Sequence, residues 1–346
     1  MRLTKRGKMI FGVGILAAGI VALSTILALA GKNPPVLGPI GHALTGKKST
    51  PTTCPLTGVP KKHIPNRPAL AVKVENLPEA RPQAGLNSTD VVYEEPVEGG
   101  ITRFIAIFQC RSSSRVGPVR SARMTDSMVL PQYSHPVFGY AGGVAQVVHA
   151  VDAAGVKDEN FNIAVNAYQR DPNRPEPHNV YTSTQALWKA AAKAHEGAPQ
   201  PVFQYGDLPG TTKKVGFVHL GFSSYSDVYW RWNSHRQAWL RFHGTVPHTI
   251  EGGGQVSATN VVVQVVKIRY DGLADVIGTP SPEAVTVGSG KAYVFRDGRM
   301  IVGKWTRDKA GDLTQFQTRS GDTIELAPGN TWVELFPKNL KVEAGK

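Results

Sequence analysis

No Asp or Glu occurs before Glu75, and that absence explains the charge of the whole chain. The formal net charge is +13, which taken alone points to nucleic acid. Nine Lys and Arg residues, however, lie within Met1–Lys62, and the remainder carries 30 basic against 26 acidic residues. The basicity belongs to the N-terminal stretch, so a nucleic-acid partner is not supported. Cysteine is nearly absent, with only Cys54 and Cys110. No Cys/His spacing fits a zinc site, no glycine-rich loop fits nucleotide phosphates, and no nucleophile elbow is present. No internal repeat points to a solenoid or propeller. Apolar runs of bilayer length are equally scarce: there is one.

That run is Met9–Ala30, uncharged and preceded by four basic residues. It is long enough to cross a bilayer as a helix. Its basic flank places the N-terminus in the cytoplasm and the body outside. Ala28-Leu29-Ala30 also fits a small-x-small cleavage site, which would release a secreted protein. The length of the run favours an uncleaved anchor over residues 1–31. A lipid anchor would need a Cys directly behind the apolar run, and the first is Cys54. Residues 32–62, rich in Pro, Gly, Thr and Lys, read as a flexible stalk. In an oxidising compartment Cys54 and Cys110 either pair or remain two thiols, and spacing alone decides neither.

The body centres on Asp90–Arg123. Val91–Val97 and Ile101–Cys110 read as two strands around a Gly99-Gly100 turn, a hairpin. Ala69–Glu75 is a further strand. After Gly117-Pro118, Ser121 is a candidate N-cap for a short helix ended by Pro131. His135–Ala141 reads as a strand. Val144, Val147, Val148 and Val151 fall at helical spacing before Gly155. Asn166–Thr182 is a long polar loop, and Ser183 caps another helix closed by Gly197. Residues 63–198 are thus expected to form an α/β layered domain, with a linker at 199–212. Residues 213–346 are expected to be all β, sandwich or barrel-like, with strands at 215–222, 228–232, 238–242, 260–269, 291–295, 300–305, 323–326 and 331–336. The overall class is α+β behind a membrane helix.

Chemistry-bearing side chains gather on the central stretch. If Ser121 caps a helix, Arg120 and Arg123 flank a terminus whose free N–H groups and dipole favour an anion. Arg103 on the neighbouring strand completes the cluster, and paired guanidinium forks suit phosphate or carboxylate. Gly142-Gly143, ahead of the valine-striped helix, is a second anion seat. Against this stands a structural ion network in which the arginines pair with Glu94, Glu95 and Glu98. Catalytic candidates are Glu94 and Glu98 as acid or base and His178, with Asn179 beside it, in the long loop. No metal set is apparent, although a divalent cation accompanying a phosphate is left open, as is the oligomeric state. Trp230, Trp232 and Trp239 at alternate positions read as core rather than a sugar platform.

Several segments resemble the YerB-like family of bacterial envelope proteins. They are PLTGVP at residues 55–60, RPQAGL at 81–86, DVVYEEPVEGGITRFIAIFQ at 90–109, GPVRSAR at 117–123, AGG at 141–143 and PHNVYTS at 177–183. GSGKAYVFRDGRMIVGKW and LAPGNTWVELFP extend the resemblance to the C-terminal half. It implies an envelope location and a two-part architecture of unknown function; members are commonly lipoproteins. TRFIAIFQ, GPVRSAR and YAGGVAQVVHAV are also similar in order to segments of LytR-type glycopolymer ligases, whose arginines bind a lipid pyrophosphate. By that analogy Arg103, Arg120 and Arg123 would hold such a group, with Glu94, Glu95 or Asp126 as metal or acid/base partners. Two classes of function follow. One is a membrane-tethered protein binding an anionic glycan, a lipid-linked precursor or a partner protein. The other is an enzyme acting on phosphate-linked envelope precursors.

Overall fold

The computed structural model describes residues 53–192, 197–275 and 277–346. The expected anchor and residues 32–52 of the stalk lie outside these residues, whereas Cys54, Leu56 and Thr57, expected in the stalk, are buried in the fold. Among the described residues no helix is long and apolar enough to cross a membrane.

The central strands are buried on both faces, which is why they read as continuous apolar runs. β1 (Leu70–Glu75), β2 (Val91–Pro96) and β3 (Thr102–Phe108) carry almost no exposed residue. β3 pairs antiparallel with both β1 and β2, so the expected hairpin is formed. Beyond β1, the strands β4 (Val137–Gly139) and β5 (Lys157–Asp158) add in parallel. On its other side β2 takes Thr331–Pro337 in parallel, and that strand lies parallel to Asn260–Ala274. Gly288–Arg296, Arg299–Arg307 and Gln315–Thr318 continue antiparallel to the far edge. One open, mixed sheet of twelve strands therefore draws on both halves of the chain.

A six-stranded antiparallel sheet, built mainly from residues 217–258, packs against this large sheet. Trp230 and Trp239 are fully buried between the two, with ring centroids 5.2 Å from Trp332 and 5.8 Å from Phe295 respectively. Trp232 is half-buried beside Trp239. The tryptophans are core, as their alternation indicated, and each buried ring is worth about 3 kcal/mol or more. The sandwich alternative holds in this sheet-on-sheet contact. Both sheets have free ends, so no barrel closes.

Two helices cover the opposite face of the large sheet. α1 (Met124–Val129) and α2 (Ala145–Ala153) bury Val129, Val147 and Val151 in a core shared with Val262, Trp305 and Leu335. α3 (Thr184–Ala190) lies on the side of the six-stranded sheet, its start fixed by Ser183 Oγ accepting the Ala186 N–H at 3.1 Å. The described residues form one compact unit. The linker expected at 199–212 therefore joins two halves of a single sheet and does not separate two cores.

Other elements differ locally from expectation. The polar stretch 166–182 contains a small two-stranded ribbon, Tyr168–Arg170 with Val180–Thr182. Thr323 and Leu326 make isolated bridges only, whereas Pro280–Val285 is an unexpected strand. Cys54 and Cys110 form a disulfide, with Cα atoms 6.0 Å apart.

Candidate functional site

Strand alternation sorts the acids of the central stretch before any tertiary contact is considered. Arg103 lies opposite Glu75 on one side and Glu95 on the other, so these three share the face covered by α1 and α2. Glu94 points the other way, toward the six-stranded sheet. There Arg241 Nη2 donates to both its oxygens at 2.7 and 2.9 Å, and Thr102 Oγ1 donates at 2.6 Å. Glu334 lies alongside. Burial first, and then the charge of Glu94, push its carboxyl well above the usual range. Glu94 is therefore held in a buried ion pair with Arg241 and does not line the cleft that the arginines share.

On the helix-covered face Lys73 takes two carboxylates, Glu95 in a very short contact and Asp126 at 2.7 Å. One ammonium cannot neutralise two buried acids. Burial, with the charge of Asp126 added, raises Glu95 to about 7, although Lys73 opposes the shift. Asp126 also accepts the Arg123 N–H at 2.7 Å and so caps α1. The expected cap, Ser121, lies two residues before the cap position; its hydroxyl donates to the Ala141 carbonyl at 3.0 Å.

The three predicted arginines do converge. Arg103, Arg120 and Arg123 line one cleft of about 430 Å³, together with Ser121, Glu98 and Gly143. Leu77, Val144 and Val147 add apolar wall, and the opposite side is the turn that carries Asp275, Ile277, Thr279 and Ser281. Arg123 is locked to Glu98, with Nη2 donating to Oε2 at 2.6 Å and Nε 2.6 Å from Oε1 but out of line for a hydrogen bond. Arg120 Nε donates to Glu75 Oε1 at 2.8 Å, and His178 Nδ1 takes the other Glu75 oxygen at 2.9 Å.

Arg103 is the exception. Its two cross-strand carboxylates are already committed, Glu75 to Arg120 and His178, and Glu95 to Lys73. Nη1 donates to the Ser121 carbonyl at 3.0 Å, and Nε meets no acceptor. The residue is only 7% exposed. Burial, reinforced by Arg123 and Arg120, lowers its pKa to about 10, against the pull of Glu98 and Glu75. A buried guanidinium N–H without a partner costs about 1–3 kcal/mol. Of the structural ion network foreseen for these arginines, only Arg123–Glu98 is present; Arg120 pairs instead with Glu75, and Arg103 is left without a carboxylate.

The acid/base candidates do not assemble around it. Both Glu98 oxygens are occupied, Oε1 also accepting from Ser281 Oγ at 2.5 Å. Burial alone would raise the Glu98 carboxyl, but Arg123 and Ser281 outweigh it and hold it below the ordinary range. Asp275 accepts the N–H groups of Ile277 and Thr279 in its own turn. His178 is spent on Glu75, and Asn179 accepts from Arg170 at 2.8 Å, fixing the ribbon. Gly143 reaches the cleft wall, whereas Gly142 serves a turn with φ +80° and its carbonyl accepts the Ala122 N–H. Among the described residues no group of three His, Cys, Asp or Glu side chains is placed to hold a metal ion.

Sequence reasoning missed Glu75, Lys73 and the whole wall at 274–281. Glu75 was visible as the first acid of the chain, at the end of a strand. The wall was not, because Gly272, Pro280 and Pro282 interrupt the β pattern.

Comparison with known proteins places the chain in a family. Residues 56–197 match the model for the N-terminal domain of a protein of unknown function (DUF3048), and residues 218–333 match the model for its C-terminal domain. The chain belongs to the DUF3048 family. A relative named "Putative lipoprotein YerB", from Bacillus subtilis (strain 168), is 28% identical over 306 residues, covering 82% of this chain and 86% of the relative. The crystal structure of the YerB protein from Bacillus subtilis superposes with a TM-score of 0.73 at 25% identity, covering 85% of this chain and 99% of that one. The DUF3048 models divide where the sequence suggested a linker, yet in the fold both parts share the twelve-stranded sheet.

Proposed function

We propose that this DUF3048 protein is tethered in the cell envelope with its body outside the cytoplasmic membrane, where its cleft binds an anionic ligand. The location rests on the basic-flanked apolar run at residues 9–30 and on the lipoprotein name of its relative. The single observation that carries the binding reading is Arg103, a buried guanidinium in a cleft with no carboxylate of its own. Such a group favours a ligand that brings the missing negative charge, and Arg120 and Arg123 stand beside it. A phosphate-bearing glycan or precursor has that chemistry. Binding is preferred to catalysis because Glu98, the cleft's buried carboxylate, is fully hydrogen-bonded and held ionised, a poor proton donor at neutral pH.

The test is calorimetric titration of the full chain in nanodiscs with inorganic pyrophosphate. Arg103→Met, which keeps an unbranched apolar stem and removes the charge, should weaken binding by about tenfold or more. Unchanged affinity in that variant, with its melting temperature intact, would remove the basis of the reading.

A further inference from the structure

The cleft has a neighbour. Residues 267–274 and 280–285 pair as a hairpin standing over the Gly99–Ile101 turn, and it walls a cleft on each side. Its tip faces the arginines, while its base faces a second cleft of about 510 Å³. Gly99 and Ile101 line both, so the two clefts meet at that ridge, beside the hairpin strand whose Ser281 faces the first and whose Pro280 and Pro282 face the second. The hairpin is fixed: Ser281 is bound to Glu98, and the Ala284 N–H donates to Thr125 Oγ1 at 3.0 Å.

The two clefts differ in character. Phe222, Tyr270, Pro280, Pro282, Pro337 and Leu340 make the second mostly apolar, with Lys267 and Lys338 beside them. No carboxylate lines it, and Asn339 supplies its one amide, a poor complement to sugar hydroxyls. Apolar side chains also stand in water at the mouths. Ile277 is 83% exposed beside the first cleft and Tyr270 63% beside the second. Tyr225, also exposed, approaches Gly100 on the ridge. Such clustering of exposed apolar groups marks a contact surface.

We infer that the two clefts are one bipartite site for an anionic amphiphile. Its charged head lies against Arg103, and its apolar chain crosses the Gly99–Ile101 ridge to lie against Tyr270 and the prolines. The inference rests on the anion reading above and adds the class of ligand.

Three probes separate the two claims: inorganic pyrophosphate, geranyl pyrophosphate and geraniol, each titrated into the full chain in nanodiscs with empty nanodiscs subtracted. Geranyl pyrophosphate should bind at least about tenfold more tightly than pyrophosphate, and geraniol far more weakly than either. Tyr270→Ser should abolish most of the advantage of the geranyl chain and leave pyrophosphate affinity alone, while Tyr270→Phe restores it. Tyr270 is largely exposed, so neither change threatens the fold. Equal affinity for the two pyrophosphates overturns the bipartite site and leaves the anion reading standing. Geraniol binding as tightly as geranyl pyrophosphate also overturns it, because the head would then contribute nothing. Absence of binding by all three probes removes both claims together.

Discussion

Arg103 carries a charge that its neighbours do not cancel, and this sets apart its effects on stability and on binding. Arg103→Met removes an unpaired buried N–H while keeping most of the packing. The melting temperature should stay level or rise by a few degrees, while the affinity for pyrophosphate proposed above falls by about tenfold or more. Glu94 is the contrary case. Glu94→Ala leaves Arg241 buried without its carboxylate and should cost about 3–5 kcal/mol, read from urea unfolding. Glu95 adds a pH signature. Its folded pKa of about 7 lies above the ordinary carboxyl value, so the fold takes up a proton that the unfolded chain has released. The stabilisation is complete below about pH 4.5 and is lost as pH rises through 7. Glu95→Gln should flatten that slope in urea midpoints measured from pH 4.5 to 8.

Among the elements, strand identity was legible and placement was not. The β2–β3 hairpin could be read because its apolar runs need two covered faces and its turn needs two residues at positive φ, supplied by Gly99 and Gly100. The meeting of the three arginines followed from that hairpin and the segment after it. Their partners could not be foreseen, since Glu75 reaches Arg120 from 45 residues away and Ser281 reaches Glu98 from 183. Ser121 misled because capping preference is local. The backbone is still extended at Arg123, and the helix waits for Asp126 to hold the Arg123 N–H. Close packing between the edge strands is equally invisible in sequence. A Cβ on Gly303 would come within 2.1 Å of the Gln317 carbonyl, which is backbone and cannot yield cheaply. Gly303→Ala should therefore destabilise the protein by about 1–3 kcal/mol in thermal or urea unfolding.

At the scale of the molecule, two links tie distant parts together. The Cys54–Cys110 disulfide closes a loop of 56 residues, so reduction should lower stability by about 4 kcal/mol on the chain-entropy relation. His243 and His248 sit where the six-stranded sheet meets the large one. Burial first, and then Arg241, hold both in the neutral form. An unfolded histidine takes up a proton near pH 6.5, and these two refuse it in the fold. Stability should thus fall as pH drops below about 6.5, by about 1.4 kcal/mol per pH unit for His248 alone. His248→Gln should remove that part of the acid slope.

The position of Thr331–Pro337 between Asn260–Ala274 and β2 also governs timing. During synthesis β2 emerges some 240 residues before the strand that will cover its open edge, as the numbering itself requires. Until then the early strands present a bare row of hydrogen-bonding groups, a template for the wrong neighbour. A chain stopped at Asn330 should consequently aggregate when expressed, and a separately supplied C-terminal peptide should rescue it only if it arrives before that edge finds another copy.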